Sequence, residues 1–303
     1  IYIMKRFFLT TLLFSTIVMK AETIVIDGVL DEPEWANAFS ISEFYQVSPF
    51  NLQKSEDETL VYIFSNEDGI YVGFINKQSN SSMLSKKTLR DEMTSLSEKN
   101  AIDIDFDGDG NKAYILAVNL GDSLFDAITI KTGDFKTDWD GDWIAKTQRH
   151  DGYWVSEFYL PWDLALMNQP QGNKRIIKYS VKRFKAKEQI WVSSTGSMPS
   201  RPDFFEKLDS LEIDNYTKSK LNFFPYVSSN QNSVTKFEDN KIGAEIFYNS
   251  GTGMQINATF NPDFGQAESD DVVINFSARE TFYSEKRAFF NENQSLFNIN
   301  NYD

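Results

Sequence analysis

Hydrophobic and polar residues alternate along most of this chain, and a period of two predicts β-strands rather than helices. Residues 101–106 show the pattern clearly, because their isoleucines fall on one face and their aspartates on the other. Residues 60–64 and 70–75 are apolar runs separated by an Asn-Glu-Asp-Gly turn signal, which predicts a hairpin. The alternation therefore predicts an all-β protein.

Turn signals recur at short intervals between these predicted strands, as in an immunoglobulin-like or jelly-roll-like β-sandwich. An α/β fold would place longer helical segments between the strands. The sequence predicts only short helices, at residues 33–38, 84–96 and 162–167. We expect the sandwich to occupy residues 22–215.

The pattern changes near residue 216, where the predicted strands become longer. Residues 254–260 place Met, Ile, Ala and Phe on one face and Gln, Asn and Thr on the other, and residues 272–279 repeat this. Such strands are typical of a transmembrane barrel, with lipid outside and water inside. A half-buried antiparallel sheet has the same period. Because a barrel needs about eight strands, we interpret residues 216–303 as the antiparallel opening strands of an incomplete one.

Residues 4–21 have the organisation of a secretory signal peptide. Lys5 and Arg6 precede an apolar run, and Ala21 is the small residue at the expected cleavage point. The run is shorter than a membrane-spanning helix requires. A buried N-terminal strand or helix is the alternative. We expect an exported protein of the cell envelope.

Composition narrows the possible functions of the 303 residues. There is no cysteine, one histidine and a formal charge of −14, which excludes thiol chemistry and argues against a nucleic-acid partner. No G-x-S-x-G, phosphate-loop or H-E-x-x-H motif occurs. Carboxylate pairs for glycoside hydrolysis can always be nominated in so acidic a chain. Enzyme activity therefore stays open, and binding is the favoured interpretation.

The motif Ile-Asp-Gly-Val-Leu-Asp-Glu-Pro-Glu-Trp-Ala-Asn-Ala at residues 26–38 resembles the opening of family 9 carbohydrate-binding modules. The resemblance continues through three further segments, residues 89–91, 103–105 and 152–161. It implies a saccharide-binding β-sandwich, with an oligo- or polysaccharide as partner. Relatives of this module accompany glycoside hydrolases that act on O-glycosyl bonds, so an association with such activity is one alternative.

Residues 261–270 and 280–290 resemble the two signatures of the DUF5916 envelope proteins, a family of unknown function. Ser284 and Ala288 stand where that family has proline. Its members have a family 9-like module followed by a predicted outer-membrane β-barrel. The resemblance implies that residues 216–303 lie in the outer membrane and that the module faces the periplasm or the cell surface.

Saccharide recognition needs flat aromatic faces and planar polar groups. Three tryptophans are predicted to contact the ligand: Trp139, Trp143 and Trp191. Three others are predicted to belong to the core: Trp35, Trp154 and Trp162. Trp139 lies in a very acidic loop and is expected to be the most exposed indole.

Arg90 corresponds, by the same resemblance, to an arginine that contacts sugar hydroxyls, and a salt bridge with Asp91 is the alternative. Glu157 is predicted to be a buried structural carboxylate, paired with Arg183. A sandwich without any sugar site would instead act as a structural or docking domain for the barrel.

Residues 105–110, Asp-Phe-Asp-Gly-Asp-Gly, begin like a calcium loop. Leu116 stands where an EF-hand has its bidentate glutamate, and the residues between read as strand. A lesser Ca²⁺ site on Asp105, Asp107 and Asp109 and an ordinary acidic hairpin turn are both open.

Overall fold

A computed structural model describes residues 24–131, 135–137, 139–165, 167–168, 172–216, 218–232, 237–251 and 254–261. The predicted signal peptide and residues 262–303, with the repeat at 272–279 and nearly all of both DUF5916 signatures, lie outside them. The strands are β1 (Phe39–Ile41), β2 (Tyr45–Ser48), β3 (Phe50–Lys54), β4 (Thr59–Ser65), β5 (Gly69–Lys77), β6 (Lys99–Asp105), β7 (Lys112–Asn119), β8 (Leu124–Ile130), β9 (Phe135–Lys136), β10 (Ile144–His150), β11 (Tyr153–Pro161), β12 (Lys174–Lys185), β13 (Ile190–Ser193), β14 (Asp209–Asp214), β15 (Lys220–Asn232), β16 (Phe237–Asn249) and β17 (Gln255–Phe260). A 3₁₀ helix spans Pro33–Asn37, and α1 spans Phe204–Lys207.

Two antiparallel sheets form the predicted sandwich. Sheet A has the order β1-β4-β5-β11-β10, and sheet B has the order β3-β2-β13-β12-β6-β7-β8-β9. The long strand β12 pairs with β14 in its first half and with β13 in its second half, while β6 pairs with its other edge. The all-β prediction is confirmed.

The hydrophobic core lies between the inner faces of the two sheets. Ile102, Ile104 and Phe106 are buried there together, as their alternation predicts. Sheet A contributes Val61, Ile63, Ile70, Val72, Phe74, Phe158 and Leu160. Burial of these apolar surfaces, at about 25 cal/mol per Å², is what holds the two sheets together.

The opening motif packs on the outer face of sheet A. Trp35 is buried and meets the ring of Phe64 edge-on, with the ring centroids 4.7 Å apart. Gly73 of β5 leaves the space for this contact, because a Cβ there would lie 2.6 Å from a methyl carbon of Leu30 and 3.1 Å from the Trp35 ring. Trp35 is therefore structural, as predicted, and so are the buried Trp154 and Trp162.

Glu157 is buried as predicted, but the predicted pairing with Arg183 is wrong. One oxygen of Glu157 accepts hydrogen bonds from two consecutive amides of the opening motif, each at 3.0 Å. Arg183 donates instead to the Thr59 hydroxyl and the Gln78 side-chain oxygen, both at 2.8 Å. Glu157 thus fastens the opening motif to sheet A.

Burial raises the pKa of the Glu157 carboxyl to about 7, above its ordinary value of 4.5. A raised folded-state pKa stabilises the fold below the unfolded pKa, and this contribution is lost as the pH rises through about 7. We expect Glu157→Gln, which stays neutral, to raise the melting temperature by several degrees at about pH 8 and hardly at all at about pH 5. Thermal denaturation of both proteins at the two pH values measures this, and a pH-independent difference would contradict it.

Two predicted helices do not form in the residues that the structure describes. Residues 84–96 form a loop, because their backbone bonds to neighbouring segments: the Asp91 amide donates to the Leu124 carbonyl at 2.9 Å, and the Glu98 amide donates to the Leu84 carbonyl at 2.8 Å. The described residues of the third predicted helix, 162–165, form a turn after β11. The short helix α1 was not predicted.

Strands β15, β16 and β17 form a separate antiparallel sheet, sheet C. The strand register places mostly apolar residues on one face, whereas the other face combines polar residues with Phe224, Tyr226 and Phe247. This apolar face is exposed, with relative accessibilities of 39–77% for Leu221, Phe223, Val227, Ile242, Ile246, Ile256 and Phe260. Among the described residues, no helix combines the length and apolar character needed to span a bilayer.

The junction between the sandwich and sheet C is short. Strand β14 ends at Asp214 and β15 begins at Lys220. The Lys220 ammonium lies 2.9 Å from the Asp142 carboxylate and 3.6 Å from that of Asp163. The start of sheet C is therefore fastened to the sandwich.

Candidate functional site

The loop before β6 carries Arg90 to the inner edge of β8. The Thr88 amide donates to the Ser123 hydroxyl at 2.8 Å, and the Asp91 amide donates to Leu124, so the loop runs beside the start of that strand. Asp91 has a positive φ of 66°, which few residues other than glycine and Asn/Asp adopt readily. This local geometry directs the Arg90 side chain toward β8.

Asp126 lies at the centre of the site. Alternation along β8 puts Phe125 and Ala127 on the outer face and Asp126 on the inner face, in a row that is otherwise apolar. Its side chain is completely buried. The indole N–H of Trp143 donates to Asp126 Oδ2 at 2.6 Å, and the Gly141 amide donates to the same oxygen at 3.3 Å.

Arg90 joins Asp126 to a second carboxylate. Its guanidinium forms ion pairs with Asp126 and, at 2.9 Å, with Asp140, and it donates to the Gly141 carbonyl at 2.9 Å. Arg90 therefore forms its ion pairs with Asp126 and Asp140 rather than with Asp91. Arg90 keeps 36% of its side-chain surface exposed and Asp140 keeps 71%, so the site opens to solvent on this side.

The expectation that Trp139 is exposed is wrong. Its relative accessibility is 3%, its ring centroid lies 4.8 Å from that of Tyr114, and Gly141 packs against it so closely that a Cβ there would lie 2.6 Å from the indole. Trp143 is 4% exposed and stacks on Phe158 at 5.8 Å. Both indoles belong to the core, so neither offers a ring face to a saccharide here.

Trp191 is the one of the six indoles that keeps partial exposure. It lies on β13 beside Phe184, with ring centroids 5.0 Å apart. The neighbouring hydroxyls of Ser180, Ser193 and Thr195 bond to one another at 2.9–3.1 Å. Four strand spacings separate β13 from β8, about 19 Å. The structure therefore gathers Arg90, Trp139 and Trp143 around Asp126 and leaves Trp191 apart.

The predicted calcium loop is a hairpin turn between β6 and β7. Asp105 accepts three backbone amides of its own loop at 2.7–3.1 Å. Asp107 pairs with Arg175 at 3.2 Å, and Asp109 accepts both the amide and the side-chain N–H of Asn111. These contacts give each carboxylate a protein partner, as expected of the acidic turn.

A different trio of carboxylates converges at the site. Asp91, Asp126 and Asp140 each place one oxygen within 4.8 Å of the others. Among the described residues, this is the one place where three metal-ligating side chains come so close together. Sequence reasoning missed Asp126 and Asp140 because they come from separate segments. The available signal was Asp126 itself, a charged residue within the apolar row of β8.

The described residues thus form an antiparallel β-sandwich joined to an amphipathic sheet. A family model described as "Domain of unknown function (DUF5916)" matches residues 217–302. It covers the segment in which the two signatures were recognised, and that part of the resemblance is confirmed. No curated protein matches the sequence significantly.

Solved structures similar to this chain overlap it across more than half of its length. A family 9 carbohydrate-binding module from Caldicellulosiruptor kristjanssonii in complex with glucose has a TM-score of 0.44 and 12% identity, over 63% of this chain and 91% of that one. A family 9 module from the same organism in complex with cellotriose has a TM-score of 0.40 and 14% identity, over 59% and 86%.

Proposed function

We propose that this protein is exported to the cell envelope, where its sandwich binds carbohydrate and sheet C lies in the outer membrane. The observation that carries the proposal is the exposed apolar face of sheet C. Apolar side chains on one face of a sheet are costly in water and favourable against lipid. The opposite face, with residues such as Asn222, Glu245 and Asn257, suits a watery interior.

Trp191 is the residue that best supports carbohydrate binding. Its partly exposed indole can stack on the C–H face of a pyranose. The nearby residue Thr195 is partly exposed, and its hydroxyl is of a kind that bonds to sugar hydroxyls.

We expect Trp191→Ala to weaken oligosaccharide binding by about tenfold, because it removes the stacking surface. Phe135→Ala is the matched control, since Phe135 is an exposed ring on β9 of the same sheet. Calorimetric titration of the full chain with xylo- and cello-oligosaccharides measures both. Equal losses in the two variants would argue against a site at Trp191.

The second candidate function is a structural or docking domain for the membrane-embedded part, without a sugar site. Two observations favour it: five of the six indoles are buried, and Arg90 is held by two carboxylates. If the folded chain produces no heat with any glycan, this second function replaces the first.

A further inference from the structure

We propose that Asp91, Asp126 and Asp140 form a binding site for a divalent cation of the calcium type. Their oxygens already converge within 4.8 Å. Oxygen-only ligands suit a hard cation such as Ca²⁺, which accepts irregular arrangements of six to eight oxygens. The Gly141 carbonyl, within hydrogen-bond reach of Arg90, and solvent water can complete such a shell.

The Asp126 side chain points to a missing partner. It is completely buried, and its Oδ1 has no hydrogen-bond partner among the described residues, although Oδ2 has three. A buried carboxylate oxygen without a partner is costly. A bound cation would supply the partner that this oxygen lacks.

The charge of the cluster also favours a divalent ion. Three carboxylates face one guanidinium, that of Arg90, which leaves two negative charges when all three are ionised. Because Asp140 is mostly exposed, we expect binding in the range of extracellular calcium modules, about 10⁻⁴–10⁻³ M.

Arg90 competes with the cation, because it pairs with two of the three carboxylates. Removing the guanidinium by Arg90→Gln should therefore tighten cation binding. The same substitution leaves Asp126 without its cationic partner, so the variant should depend on the cation for thermal stability. These opposite effects on binding and on metal-free stability distinguish a cation site from an ordinary ion-pair cluster.

Terbium luminescence of the full chain in mild detergent tests the proposal. Trp143 donates to Asp126 and would sensitise Tb³⁺ bound there, and Ca²⁺ should displace the signal. We expect Asp140→Asn, at an exposed position that leaves the fold intact, to weaken Tb³⁺ and Ca²⁺ binding at least tenfold. Asp109→Asn, in the exposed turn after β6, is the control and should bind normally.

Arg90→Gln should bind both ions several-fold more tightly and melt at a higher temperature when Ca²⁺ is added. The proposal is overturned if no sensitised emission is seen, or if Asp140→Asn and Asp109→Asn bind alike. It is independent of carbohydrate binding, because no readout involves a glycan.

Discussion

On the proposal that sheet C lies in the outer membrane, Ile256→Arg is expected to keep it out of the bilayer, whereas Asn257→Arg, at the next residue, is expected to be tolerated. The two residues are consecutive on β17, and the strand register places them on opposite faces of the sheet. A lipid-facing arginine costs about 2–4 kcal/mol near the bilayer centre, and a lumen-facing one costs much less. The two variants carry the same new charge, so only the face differs.

Fractionation of cells expressing each full chain provides the measurement. Wild type and Asn257→Arg should remain in the outer-membrane fraction after urea extraction, and Ile256→Arg should be lost from it. If both arginine variants fractionate alike, the apolar face does not contact lipid and the membrane proposal is wrong.

Lys182→Met will destabilise the sandwich by about 3–5 kcal/mol, because it leaves a buried carboxylate without its counter-charge. The Lys182 ammonium lies 2.6 Å from the carboxylate of Asp103 on the neighbouring strand, and both side chains are buried. The melting temperature should fall by about 10 °C. Lys174→Met is the control, because Lys174 also lies on β12 but forms its ion pair, with Asp214 at 2.7 Å, in solvent. Exposed pairs of this kind contribute less than about 1 kcal/mol to stability.

The double variant Lys182→Met, Asp103→Leu separates the ion pair from simple packing. Replacing both charges with apolar groups of similar size is often neutral, so most of the lost stability should return. Thermal denaturation of the four proteins measures this. Equal effects of Lys182→Met and Lys174→Met would show that burial of the pair contributes nothing.

The sandwich was predictable because its signals are local. Alternation in residues 101–106 places Ile102 and Ile104 on the buried face of β6, whichever strands pair with it. Trp35 is part of the opening motif, which is recognisable from a single short segment. The helix predicted at residues 84–96 does not form, because this segment hydrogen-bonds to β8, which lies more than 25 residues further along the chain. Tertiary contacts of this kind have no local signal.

The site was harder to predict because exposure depends on distant partners. The acidic residues around Trp139 and Trp143 favour a solvent-exposed loop, yet the two indoles pack in the core against Tyr114 and Phe158. The binding partners of Arg90 likewise come from β8 and from the segment before β10. Only the assembled sheets bring these segments together.

The short junction at residues 215–219 has a consequence for where the sandwich can work. Five extended residues span at most about 17 Å, and the ion pairs of Lys220 shorten that reach further. With sheet C in the bilayer, the sandwich would stand at a fixed height and orientation beside it. Its ligands would then be molecules that diffuse to the membrane surface, because the linker is too short for the sandwich to move away from sheet C.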